Sequence, residues 1–244
     1  MLKQMIIAAS LFAAGAASAQ DAGWTYRATL YGWLPSMSGS VDTLRFGKVE
    51  TTKGTSDVLD ALDMAFMGTF SAQHDRWGFV GDLLYTDLSN SAATPGQLFG
   101  DGTLRLEMTA LSGYALYRVT NDPSVQFDVG AGFRNFDMNL TASLSAGTRP
   151  GGAQKISKSW TDPLIAARLV VPMDDNWFIN GFADYGGTGN GDETYQVYAG
   201  VGYNFAKDWS AQFGYRLMNI SQQVKGRDVS LDLSGALIGV SYNF

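Results

Sequence analysis

The nine residues Ala236-Leu-Ile-Gly-Val-Ser-Tyr-Asn-Phe244 decide the fold. Counting back from Phe244, every second position suits lipid: Tyr242, Val240, Ile238 and the small Ala236. Between them Asn243, Ser241 and Gly239 are polar or small, and only Leu237 breaks the pattern. Successive side chains of a β-strand point to opposite faces, so this segment is a strand with one greasy and one mostly wettable face.

The same period of two recurs upstream. Trp209, Ala211, Phe213, Tyr215 and Leu217 alternate with Ser210, Gln212, Gly214 and Arg216. Tyr195 to Phe205, Val125 to Phe133, Trp77 to Tyr85 and the opening run Trp24, Tyr26, Ala28, Leu30, Gly32, Leu34 repeat it. A soluble β-sandwich would alternate in the same way with its apolar residues turned inward. The ends of the chain select the membrane instead. A terminal aromatic with another two residues earlier resembles the closing-strand signal of bacterial outer-membrane β-barrels. At the other end Lys3, the apolar stretch Met5 to Ala16 and Ala17-Ser18-Ala19 read as a cleaved signal peptide over 1–19, leaving 20–244 as one barrel domain. That apolar stretch falls short of the ~20 residues of a membrane-spanning helix.

Composition agrees with this assignment. Mean hydropathy is near zero, yet the chain has 29 Gly among 244 residues and 13% aromatics. Alternation averages hydropathy to neutral, interfacial girdles raise the aromatic content, and twisted strands use Gly. With no Cys, disulfide, thiolate and acylated-Cys chemistry are excluded. A net charge of −6 speaks against nucleic acid as a partner.

Four tight polar segments punctuate the strands: His74 to Trp77, Thr120 to Ser124, Pro172 to Trp177 and Ala206 to Trp209. Three of them end in Trp, which suits a membrane–water interface, and short turns of this kind belong on the periplasmic side. Longer polar connections alternate with them, at Asn90 to Gly102, Ser143 to Ser157, Gly186 to Asp192 and Gln222 to Asp228. Trp24, Trp77, Trp177, Trp209, Tyr242 and Phe244 are the expected interfacial aromatics. Strand count turns on Pro35 to Leu62. Ser36 to Phe46 and Lys48 to Thr55 read as a weak extra hairpin, giving an all-β, antiparallel up-and-down barrel of twelve strands; as a single external loop the segment would leave ten. Asp57 to Leu62 predicts a short helical turn capped by Ser56 or Asp57.

Further motifs resemble a proteobacterial family of small, largely uncharacterised outer-membrane barrels. They are Trp160-Thr-Asp162-Pro163 with Ala167-Arg168, Asp184-Tyr-Gly186-Gly187-Thr-Gly189, Thr194-Tyr-Gln196 followed by Ala199-Gly-Val-Gly202-Tyr203, and Gly214-Tyr215-Arg216. Trp33-Leu-Pro35 with Ser38-Gly39 and Gly78 to Asp82 fit as well, while Thr188 and Tyr195 depart from an expected Phe and Trp. The resemblance implies fold and outer-membrane location, with no activity attached. It also implies outer-membrane lipid and, through the closing strand, the barrel-assembly machinery as partners.

The phase of each strand places Arg27, Asp82, Asp128, Arg134, Arg168, Asp184 and Arg216 on the face away from lipid. An Arg or Lys facing lipid at mid-membrane would cost about 2–4 kcal/mol. Pairing across the lumen is expected, because a planar guanidinium binds a carboxylate in bidentate fashion. The leading functional reading is a structural barrel or a narrow small-solute pore whose lumen is filled by these pairs. The alternatives are an envelope enzyme acting on lipid or peptide, or a surface receptor acting through its loops. His74 is the only histidine and sits at a turn with lipid-face parity, which argues against His-dependent catalysis. Asp184, Asn190, Asp192 and Glu193 offer oxygen ligands for Ca²⁺, but such residues also suit external turns, so no metal or cofactor is expected.

Overall fold

The computed structural model describes residues 23–43, 47–94, 96, 98–120, 122, 124–189, 191–224 and 227–244. The segment read as a signal peptide lies outside them. Eleven strands and one helix follow in order: β1 (Trp24–Thr43), β2 (Gly47–Lys53), α1 (Thr55–Asp60), β3 (Leu62–His74), β4 (Trp77–Ala93), β5 (Phe99–Arg118), β6 (Gln126–Ala146), β7 (Gly152–Pro172), β8 (Trp177–Gly189), β9 (Asp192–Asn204), β10 (Trp209–Val224) and β11 (Arg227–Asn243). Neighbours in sequence pair antiparallel from β3 to β11, and β1 pairs with both β3 and β11. The sheet closes into a barrel of ten strands, with β2 added beside the far half of β1.

The expected twelve strands do not form. Ser36 to Thr43 continues β1 instead of starting a new strand, and β2 has only 7 residues. A tilted strand needs about 9–11 residues to cross the hydrocarbon core, so β2 cannot make a full crossing. The helix also starts earlier than expected, with Gly54 at its N-cap. The Asp57 carboxylate accepts the Gly54 N–H at 3.0 Å, so Asp57 serves from within the first turn.

Alternation is strict through the lower wall. Leu30, Ile165, Phe213 and Ile238 point outward and are largely exposed, whereas Trp33, Leu84, Leu116 and Phe136 point inward and are buried. On the outer face of β4 the apolar run Trp77, Phe79, Leu83, Tyr85 gives way to Asp87, which pairs with Arg105 of β5 (Nε–Oδ1 2.8 Å). At the short-turn end aromatic pairs join neighbouring strands: Trp77 with Tyr117, Trp177 with Tyr203 and Trp209 with Tyr242, ring centroids 4.8–5.1 Å apart. Phe244 stacks on Tyr26, and the two exchange backbone hydrogen bonds of 3.0 Å each way. The last residue therefore fastens the closing strand onto the first. β5, β6 and β7 run 20–21 residues while β8 and β9 run 13, so one side of the barrel rises above the other at the long-loop end. No helix among the described residues is long and apolar enough to cross a membrane.

Candidate functional site

The barrel interior changes character along its axis. Register aligns Asp82 with Ser112, Ser112 with Arg134 and Arg134 with Asp162, one polar row across four strands. Two residues further toward the long loops, the next inward row is Leu84, Ala110, Phe136 and Trp160. Below this boundary charged pairs dominate the lumen, beside a small apolar group of Leu116, Leu164, Ala166, Val80 and Phe182; above it hydrocarbon predominates.

Two clusters of the same composition occupy the polar middle. In one, Arg134 lies 2.6 Å from Asp184 (Nη2–Oδ2) and 2.9 Å from the Tyr114 hydroxyl, which donates to Asp184 Oδ2 at 2.8 Å. Ser112 accepts from the Arg134 Nε–H at 3.0 Å and Thr194 from Nη1 at 3.2 Å. In the other, Arg216 donates to Asp82 (3.1 Å), Gln196 (3.1 Å) and the Tyr31 hydroxyl (2.8 Å), and Tyr31 donates to Asp82 Oδ1 at 2.7 Å. Each tyrosine both accepts from the arginine and donates to the carboxylate, while the buried Asp184 Oδ1 has no hydrogen-bond partner among the described residues. Arg134 and Asp184 have no exposed side-chain surface, a burial tolerable for a charge only when it is paired and hydrogen-bonded. Gly132 allows the first cluster its shape: a Cβ there would lie 2.6 Å from the Tyr114 ring and 2.2 Å from the Gly113 carbonyl oxygen.

Nearer the short turns, Asp128 is clamped between Arg118 (Nε–Oδ1 2.9 Å) and Arg168 (Nε–Oδ2 2.7 Å). Arg168 also reaches Gln73 Oε1 at 3.0 Å, and Arg27 donates to Asn243 Oδ1 at 2.7 Å. A cavity of about 180 Å³, lined by Arg27, Asp82, Arg168 and Arg216 together with Val80, Phe182 and Leu237, lies between this tier and the two clusters. Six of the seven charged residues singled out from the sequence thus join three ion-paired groups, while Arg27 pairs with an amide. Sequence reading did not reach Tyr31, Tyr114 or Arg118, and it met Gln196 only as part of a family motif, with no role assigned. Their inward parity was available, but tyrosine in a barrel reads first as an interfacial residue.

The polar layer ends against an apolar cluster: Trp33, Met67, Leu84, Met108, Ala110, Phe136, Met218, Ile220, Leu233 and Leu237, with Met37, Met138 and Trp160 packed on it. The Arg216 guanidinium sits 4.9 Å from the Trp33 ring and joins the two regions by a cation–π contact. Leu237, the residue that broke the terminal alternation, belongs to this cluster and is 5% exposed.

The remaining candidates lie apart from one another. Asp184 is inside the barrel, Asp192 accepts the Gln223 backbone N–H at 2.6 Å, and Glu193 accepts the Tyr185 hydroxyl at 3.1 Å. No group of three or more His, Asp or Glu poised to hold a metal occurs among the described residues. His74 sits at the β3–β4 turn with its ring 5.0 Å from that of Trp24 and its Nδ1 3.6 Å from Asp75.

A family profile for the outer membrane protein beta-barrel domain matches residues 5–244. The chain belongs to this family. Its place in the cell is therefore the bacterial outer membrane. Among solved structures, this family member resembles the outer membrane protease OmpT from Escherichia coli with a TM-score of 0.60 at 10% identity, covering 92% of this chain and 98% of that one. It also aligns with Ail, the attachment invasion locus protein of Yersinia pestis, at a TM-score of 0.35 and 10% identity over 91% of this chain and 99% of that one. At these identities the OmpT likeness speaks to fold alone. No curated protein matches the chain.

Proposed function

We propose that the protein is a structural element of the outer membrane: a barrel closed by its own side chains, without a conducting lumen and without His-dependent catalysis. The observation that carries this reading is the pair of Arg–Tyr–Asp clusters at mid-barrel, where Arg134 is 0% and Arg216 4% exposed. Solute passage would have to separate buried, hydrogen-bonded ion pairs, and the apolar cluster above them offers an ion no substitute. On this reading the short turns face the periplasm, and Trp24, Trp77, Trp177, Trp209, Tyr242 and Phe244 form the interfacial girdle. The terminal strand addresses the barrel-assembly machinery after removal of 1–19. His74 at the opposite end from the outer rim supports the non-catalytic part of the proposal.

Planar-bilayer recording of the purified protein tests it. The parent should give no stable openings, and Arg134→Ala/Asp184→Ala, which hollows out the first cluster while removing both charges, should give discrete ones. Steady ohmic conductance from the parent would replace the closed barrel with a narrow pore.

A further inference from the structure

We propose that the apolar upper chamber is a binding site for an acyl chain that comes from the outer leaflet through a gap in the barrel wall between β1 and β3. β3 pairs with β1 only as far as Leu30 opposite Gly68, and β2 pairs with it only from Met37 onward. On that side residues 31–36 of β1 have no paired strand among the described residues, although β3 continues to Leu62. Tyr26 and Phe244 exchange both backbone bonds. The even-numbered residues of β1 therefore bond to β11, and the odd ones, Tyr31, Trp33 and Pro35, turn their backbone toward the gap. Proline, which has no N–H to leave unpaired, stands at the middle of the opening's upper half.

The gap lies at the level of lipid. Its flanks present Leu34, Phe66 and Met64 outward, 41%, 42% and 56% exposed, continuous with the apolar belt below. Beyond Leu34 the outward positions of β1 become Ser36, Ser38 and Ser40. With short turns on the periplasmic side, this edge of the belt is the outer leaflet.

The cover over the gap is slight. Val58 is the one buried residue of α1, and with Leu59 it lines the cavity behind the opening. Six residues are too few to hold a helix by themselves. Beyond the helix the chain is tied to the wall by the Ala61 carbonyl, which accepts the Ser89 N–H at 2.7 Å. Behind α1 the cavity measures about 50 Å³ and is walled by Met37, Met67, Met108, Leu84, Leu233 and the Trp33 indole. Val58 and Leu59 thus fill space that a chain would take, and uptake requires their withdrawal. Unbranched methionines repack around an incoming chain more readily than branched residues do. The Nε1–H of Trp33 is buried without a hydrogen-bond partner, a donor available to an ester or hydroxyl oxygen on the bound lipid.

The test is photo-crosslinking of the full-length protein in nanodiscs containing a phospholipid with a terminal diazirine on one acyl chain, followed by peptide mapping. Adducts are expected on inward Met67, Leu84 or Met108 as well as on outward Leu30 and Phe66. Filling the chamber with Leu84→Trp, or more mildly with Met67→Phe, should abolish the inward adducts and leave the outward ones, which also report that the barrel is folded and inserted. Labelling confined to outward residues in the parent would overturn the proposal. So would inward labelling by a diazirine fatty acid supplied from water with none from the lipid-borne chain, because the chamber would then fill from its open end.

Discussion

The lower and upper halves of this barrel's interior are built from the same strands, yet they solve the filling problem in opposite ways. Around Arg134 and Arg216 directional contacts dominate, with two guanidinium–carboxylate pairs each bridged by a tyrosine. Around Leu84 and Phe136 the contacts are mainly apolar packing, with Phe136 stacked on Trp160 at 4.9 Å, and five methionines take part. Directional contacts fix a single arrangement and penalise the loss of any one partner, since the other is left buried and charged. Non-directional packing forgives rearrangement as long as volume is roughly conserved. The lower half is suited to closing a lumen, the upper half to admitting something.

Arg134→Met should give the largest effect, because it leaves Asp184 without its counter-charge inside a dry wall. A loss of about 3–5 kcal/mol is expected, read as the urea midpoint of the heat-modifiable band in lipid vesicles. Arg134→Met combined with Asp184→Leu should recover much of it, since both charges are then gone. A double variant no more stable than the single would show that the pair acts by shape and would erase the contrast between the halves. In the upper half Leu84→Ala removes a side chain only 1% exposed. Methionine neighbours should close part of the void, so a cost at the low end of the usual range, about 2 kcal/mol, is expected in the same assay. A loss approaching that of Arg134→Met would mean the upper half is as rigid as the lower. Tyr31→Phe deletes the hydroxyl between Arg216 and Asp82 but leaves their direct contact of 3.1 Å. About 1 kcal/mol should be lost.

How far the sequence leads differs between the same two regions. Phase counted from Phe244 carries through the register of β10 and β11, where Trp209 faces Tyr242 and Phe213 faces Ile238, so the orientation of every charged residue is legible. Partner choice is not. Asp82 meets Arg216, 134 residues away, through barrel closure and strand stagger, which no local pattern records. The apolar chamber left a trace that alternation alone misreads: Leu104, Leu106, Met108 and Ala110 have lumen parity, as does Leu237. A rule that expects polar residues inside treats these as exceptions, although together they define a second environment. The ten-strand wall was equally hard to see, because β2 pairs with β1 as a hairpin should and falls short only in length.

The smallest expected effect sharpens the contrast by moving its chemistry into water. At the exposed β7–β8 turn the Asp174 carboxylate accepts the backbone N–H of Trp177 at 2.7 Å and of Asn176 at 2.8 Å. Those two donors, Trp177 first, hold its pKa below the ordinary aspartate value. Because the folded pKa is the lower one, the stabilisation is fully present above the unfolded value of ~3.9 and is lost as pH falls through the folded pKa. Asp174→Ala should therefore be slightly less stable than the parent at neutral pH, and the two should converge in the most acidic range. A carboxylate resonance for Asp174 that moves smoothly through this window would identify it as an acceptor in contact with water. Equal stability of Asp174→Ala and the parent at neutral pH would show that these two exposed hydrogen bonds are no better than those made to water, leaving directional stability to the buried pairs alone.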